Sequence, residues 1–228
     1  MYKNNVEIVI ARYNESLLWL NEYPFTEFEY IVYNKGDNEN FNKTNVKKIV
    51  QIQNVGRCDH TYLYHIIHNY NNLSGITVFF PGSIDIDYKK NKAIQLLNNI
   101  INSNYKNAYF LGNNDNVKEL HKNFTLDEWK CSHSENVLKN NESTLLKCKL
   151  RPYAKWYRYF FGNIQAKWWI FCGIFSIDKR DIIQHNINRY IRLIHTVNTH
   201  SNPEAAHYIE RSWGAIFYPL IYTVKIQG

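Results

Sequence analysis

Apolar positions along the chain follow two periods. Val6, Ile8, Val9 and Ile10 form a mostly β-branched run that suits a strand covered on both faces, and it stops at the polar cluster Arg12-Tyr13-Asn14-Glu15. Residues 16 to 23 read as a short helix with Leu17, Leu18 and Leu20 inward. A second strand, Tyr30 to Tyr33, closes on the turn Asn34-Lys35-Gly36-Asp37. A third apolar segment, Val46 to Ile52, leads through Asn54-Val55-Gly56-Arg57 into a helix marked by Tyr62, Leu63, Ile66, Ile67 and Tyr70. Ile76 to Phe80 is the next strand, followed by Pro81-Gly82-Ser83-Ile84-Asp85-Ile86-Asp87, a helix over 88 to 103 and a strand over Ala108 to Leu111. This alternation predicts an α/β fold with a mostly parallel sheet flanked by helices.

The second half is less regular. Residues 113 to 150 are polar and Asn-rich and read as loops with short helices. Then come the basic-aromatic run RPYAKWYRYFFG, a strand over Trp168 to Ile177 and a helix from Asp178 to about Thr196. The last helix has an N-cap candidate in Asn202, Pro203 at its first position and Glu204 in its first turn, and runs to Phe217. No internal repeat or linker interrupts the chain, so one domain is expected over residues 1–228.

Composition narrows the partners. Lys+Arg 27 against Asp+Glu 20 gives +7, which favours an anionic partner: a nucleotide diphosphate, a nucleic acid or a membrane surface. The N-terminus has no leader pattern, and no run approaches the roughly 20 apolar residues of a membrane span, so a cytoplasmic location is expected. Cys58, Cys131, Cys148 and Cys172 form no CxxC pair, which argues against a zinc ribbon or a disulfide framework. The triplet Asn141-Glu142-Ser143 fits chance in an Asn-rich chain.

Several residue groups can carry chemistry, each with a plainer reading beside it. In open α/β sheets ligands lie outside the carboxyl ends of the strands, where Arg12 offers a cation, Tyr13 a flat ring and Glu15 an acceptor. Equally, Arg12 pairs with a Glu15 that favours a helix start. Asn54, Gly56, Arg57 and Asp59 occupy a strand-to-helix turn suited to anions; the plainer reading is a helix start. Arg57 resists it, because a cation there opposes the helix dipole unless an anion neutralises it. Asp85 and Asp87 face one side in extended backbone and suit a hard divalent cation, or are two acids in a solvated loop.

Glu210 lies close to the apolar edge of the last helix, where a carboxylate can act as a general base, with Arg211 beside it; spacing alone favours a solvated acid-base pair. His207 is the one histidine near it. His60, His65 and His68 lack metal-binding spacing and read as packing or surface residues. The run containing Tyr153, Lys155, Trp156, Tyr157 and Arg158 can stack on sugars or bases, or pack as an amphipathic element.

Taken in order, IVIARYNE, IVYNKG, NVGR, ITVFFPGSIDID, CGIFSIDKRDI and ERSWGAIF resemble the GT-A glycosyltransferases, and within them the small single-domain group that includes chlorella-virus capsid glycosyltransferases. The resemblance spans most of the chain but not residues 113 to 150. It implies a Rossmann-like nucleotide-binding half over 1–112 and an acceptor-binding, catalytic half over 151–228. It also implies a nucleotide-sugar donor, with a UDP-sugar expected, and a glycan or glycoprotein acceptor, in the host cytoplasm if the protein is virus-encoded. Ala11, Arg12, Tyr13 and Glu15 would hold base and ribose, Asn54, Arg57 and Asp59 the ribose or diphosphate side, and Asp85 and Asp87 a manganese or magnesium ion. Gly173, Trp156 and His207 would face the acceptor, and Glu210 with Arg211 would be catalytic. One departure stands out: the family's acids cap the fourth strand directly, whereas here Pro81-Gly82-Ser83 intervenes. The other classes consistent with the sequence are a nucleic-acid-binding protein or nuclease and a non-catalytic carbohydrate-binding domain.

Overall fold

A computed structural model of the chain describes residues 5–127 and 145–228. Cys131 and Asn141-Glu142-Ser143 fall outside them, as does part of the irregular 113–150 segment. In chain order the elements are β1 (Val6–Arg12), β2 (Tyr30–Asn34), β3 (Val46–Gln51), α1 (Arg57–Asn69), β4 (Ile76–Pro81), α2 (Asp87–Asn102) and β5 (Tyr109–Asn114). After them come α3 (Val117–Leu120), α4 (Tyr153–Phe161), β6 (Trp168–Trp169), β7 (Phe175–Asp178), α5 (Lys179–Ile183), α6 (Asn188–Ile194), α7 (Glu204–Ile216) and β8 (Val224–Gln227).

The fold is α/β with a mixed sheet in the order β3-β2-β1-β4-β7. Its first four strands are parallel, and β7 runs antiparallel to β4. Side chains alternate across the sheet, so β1 sends Val9 and Ala11 into one core and Ile8 and Ile10 into the other. The first core is closed by α1, α4, α6 and α7, through residues such as Leu63, Trp156, Leu193 and Trp213. The second is closed by α2, whose Ala93, Leu96, Leu97 and Ile100 recur at helical spacing, and by 3-10 turns at Leu18–Asn21 and Phe25–Glu27. Full burial of a Leu such as Leu96 contributes roughly 1.5–3 kcal/mol.

Several elements differ from the expectation. Residues 16 to 23 hold a 3-10 turn rather than an α-helix, with Leu17, Trp19 and Leu20 buried and Leu18 turned to solvent. The run Trp168 to Ile177 breaks into β6 and β7, because Cys172 and Gly173 take the left-handed conformation, with φ of 69° and 62°. The helix expected from Asp178 is two: α5, capped by the Asp178 carboxylate accepting from Arg180 N at 2.9 Å, and α6.

At α7, Pro203 takes the N-cap position and Glu204 starts the helix; the Asn202 side chain turns elsewhere. Strand β5 leaves the main sheet to pair with β6 and with β8, which sequence patterning does not predict. Ser176 Oγ ties it back to β7, accepting from Tyr109 N at 2.6 Å and donating to Tyr109 O at 3.1 Å. Among the described residues no helix is long and apolar enough to cross a membrane.

Candidate functional site

The strand order fixes where a ligand can sit. From β1 the chain builds outward through β2 and β3, then returns to the opposite side of β1 as β4. Between β1 and β4 the direction of winding reverses, and at such a reversal the connections leaving the two strand ends part and leave a crevice. Glu15 lies there, its Oε2 accepting from Tyr13 N at 2.7 Å. Gly82, at the end of β4, admits that carboxylate: a Cβ on it would lie 2.6 Å from Glu15 Oε2. Trp19 Nε1 donates to Gly82 O at 3.1 Å and pins the same turn.

Arg12 does not serve this crevice as the sequence suggests. It is fully buried, its Nε donating to Glu15 O and its Nη atoms to Asn34 and Asn38, with the guanidinium 4.3 Å from the Phe41 ring centre. A strand-end Arg next to Asn-rich turns is thus consumed in holding those turns. Ala11 is buried in the core, while Tyr13 and Asn54 are half-buried at the strand ends.

The second wall is the turn into α1. Gly56 and Arg57 are both left-handed, with φ of 59° and 54°. Gly56 N donates to His200 O at 2.8 Å, and a Cβ on Gly56 would lie 2.4 Å from Val197 O, so only glycine fits. Lys35, at the end of β2, donates through Nζ to Val55 O and Arg57 O. Burial pulls its pKa down to about 7, against the opposing pull of Cys58 and Asp59.

Two carboxylates meet beyond this turn. Asp59 is buried, with Oδ1 accepting from Trp213 Nε1 at 2.9 Å. Burial and then the charge of Glu210 raise its pKa well above the usual carboxylate range, so Asp59 holds a proton at neutral pH. Glu210 is 22% exposed; its Oε1 accepts from Cys172 N at 2.8 Å, and Oε2 lies 3.7 Å from Arg211 Nη1.

Cations and a loop complete the site. Lys92 has its pKa lowered by burial and raised in opposition by Cys172 and Glu210, and Lys89 Nζ donates to Ser83 Oγ at 2.7 Å. Gly173 O accepts from Tyr62 OH at 2.9 Å, and a Cβ on Gly173 would approach Cys58 Sγ at 3.1 Å. His207 Nε2 donates to Asn202 Oδ1 at 3.1 Å, which also accepts from Arg57 Nη1 at 3.5 Å. Burial, then Arg57 and Arg211, hold His207 well below the usual imidazole pKa, so it stays neutral. Burial and adjacent carboxylates push both the Cys58 and Cys172 thiols up, so neither is a thiolate nucleophile at neutral pH.

Thus Asp59, Glu210, Arg211 and the Cys172-Gly173 turn form one connected group, and Arg57 and His207 meet at Asn202 beside it. Asp85 and Asp87 do not join them as a metal site. Both are exposed, Asp87 as the first residue of α2, and among the described residues no group of three His, Cys, Asp or Glu side chains could hold a metal ion. From α2, Lys89 and Lys92 both act on Cys172, and Lys92 acts on Glu210 as well.

Trp156 is fully buried against Tyr153, Phe160, Phe161 and Tyr208, so it is a core residue with no face for an acceptor. Sequence reasoning missed Lys35, Lys89, Lys92 and Cys172. A signal existed for two of them: Lys89 and Lys92 stand near the start of α2, where cations oppose the helix dipole, as Arg57 does on α1.

No curated protein and no solved structure matches the chain. A family model described as "Protein of unknown function (DUF3431)" matches residues 8–222, a span that takes in both walls of the crevice, Asp59 and Glu210. The chain belongs to the DUF3431 family.

Proposed function

We propose that the protein is a glycosyltransferase that moves a sugar from a nucleotide diphosphate donor, a UDP-sugar in the first instance, to a hydroxyl of a glycan or glycoprotein. The observation that carries this reading is Glu210, a carboxylate held by Cys172 N and still partly open to solvent near the proton-holding Asp59, in a site where Arg57, Lys89 and Lys92 supply positive charge. Strand order alone assigns no activity, since one fold hosts many. The side chains supply the chemistry.

In the inverting form of this reaction, Glu210 Oε2 takes the acceptor hydroxyl proton as the acceptor oxygen bonds to the anomeric carbon. The bond from that carbon to the diphosphate oxygen breaks, and its electron pair leaves with the nucleotide. The charge growing on the diphosphate meets Arg57, Lys89 and Lys92, cations already in place. Glu15, at the strand reversal, is an acceptor for ribose hydroxyls, and Tyr13 is a ring for the base.

A thermal-shift panel of nucleoside diphosphates and nucleotide sugars tests the reading. A ligand that binds the folded state alone raises the melting temperature, and the rise should be the same with and without manganese. If no nucleoside diphosphate raises it, the transferase reading falls. A rise that needs manganese would restore the metal and overturn the assignment to lysines.

A further inference from the structure

One face of the Glu210 site holds a cluster in which buried polar atoms have no partner. Trp169 Nε1, His121 Nε2 and Arg211 Nε are each enclosed without a hydrogen bond. Buried polar groups are nearly always paired, and here three fall together. The His121 and Trp169 rings lie 4.9 Å apart, Trp169 and Phe171 4.5 Å, and His121 and Phe171 6.2 Å. The Arg211 guanidinium lies 4.0 Å from the Phe124 ring centre and 5.0 Å from that of Phe171. Over this group sits Phe171, 37% exposed, on the turn formed by left-handed Cys172 and Gly173.

We propose that this cluster is a saccharide subsite which the Phe171 ring covers in the free protein. A pyranose matches both halves of its chemistry. The hydroxyls donate and accept at once, as two N–H donors and an imidazole nitrogen require, and the C–H face of the ring packs on aromatic side chains. A phosphate matches less well, because the single cation, Arg211, already faces Glu210 and donates through Nη1 to His207 O at 2.8 Å. A purely apolar ligand would leave all three polar atoms unpaired. Swinging Phe171 aside admits the sugar next to Glu210, since Cys172, which follows Phe171, fixes the Glu210 carboxylate. The role of this subsite as the acceptor side rests on the transferase reading; its binding of sugar does not.

Indole N–H resonances of the isotopically labelled full chain test it. The chain has six tryptophans, and Trp169→Phe identifies the Trp169 signal. Titration with free pyranoses of differing hydroxyl configuration (glucose, galactose, xylose, rhamnose, fucose and N-acetylglucosamine) should shift that signal. Trp169→Phe keeps a ring but removes the N–H, so it should weaken binding on the order of tenfold. Trp169 is also packed in the core, so the smaller ring should lower the melting temperature modestly, and the loss of sugar affinity is read well below that temperature, where the variant is folded.

The inference is overturned if no pyranose moves the Trp169 signal, or if the folded Trp169→Phe variant keeps full sugar affinity. Pyranose binding at Trp169 with no affinity for any nucleoside diphosphate would remove the transferase reading and keep the subsite. Nucleotide-sugar binding and transfer with a silent Trp169 would do the reverse.

Discussion

Glu210 and Asp59 carry the same functional group and are set apart by their surroundings. Glu210 keeps some exposure and a backbone N–H on one oxygen; Asp59 is sealed in and shares its charge-bearing space with Glu210. Glu210→Gln should lower kcat by about 10²–10⁴-fold while leaving the donor-induced melting shift in place, which kinetics and calorimetry together would separate. Asp59→Asn mimics the proton-holding form and keeps an acceptor for Trp213 Nε1, so transfer should survive. Asp59→Ala strands that indole and should cost about 1–3 kcal/mol of stability, read by denaturant unfolding.

The sign of the Asp59 contribution follows from its raised pKa. The folded state holds a proton that the unfolded chain has already released, so this term stabilises at low pH. It is lost as pH rises from the ordinary carboxylate range through the raised value. Asp59→Asn should therefore flatten the decline of melting temperature over that interval.

At the scale of elements, the site depends on close approach between α7 and β6. A Cβ on Gly214 would lie 1.8 Å from Trp168 O, so Gly214→Ala must push α7 off the strand that leads into the Phe171 loop. A loss of about 2–4 kcal/mol is expected, with a lower melting temperature and weaker ligand binding together. On α2, Lys92→Gln removes a cation from the diphosphate side. Nucleoside diphosphate affinity should fall roughly tenfold, and the difference between variant and parent should shrink as salt is raised.

These elements also show how far patterning reaches. Helix α2 follows from the spacing of Ala93, Leu96, Leu97 and Ile100, and α7 is recognisable from Pro203, Glu204 and its apolar face. The break at Cys172 is not, because a left-handed residue inside an apolar run leaves no mark on hydrophobic periodicity. The basic-aromatic run is one amphipathic helix, α4. Its Tyr153, Trp156, Tyr157 and Phe161 face the core, and Lys155 and Arg158 face solvent, so its charge and its rings act on different sides.

For the whole molecule, burial sets the acid limit. His60, His121 and His185 have their pKa values lowered from 6.5 to about 4, mainly by burial, and His207 is likewise held well below the usual imidazole range. The unfolded chain takes up protons on these residues near pH 6.5, and the folded chain does not until pH is near 4. Stability should therefore fall progressively as pH drops from about 6.5 toward 4, visible as a falling melting temperature across that window. A melting temperature that stays flat there would mean the four imidazoles are solvated in the folded protein.

What the sequence by itself determined was local: the alternation of strand and helix, the parallel sheet that it implies, and the strand-end turns where polar residues collect. Period and turn chemistry are properties of neighbours along the chain, so they are legible there. The tertiary structure alone decided which of those polar residues meet. It turned Arg12 inward to hold the β2 turn and left Asp85 and Asp87 at the surface. It also set Asp59 of α1 beside Glu210 of α7, with Lys89 and Lys92 of α2 near Cys172. Those groups lie far apart in sequence, and their protonation states depend on desolvation and on one another's charge. Both exist only once the sheet has brought α1, α2 and α7 to the same edge.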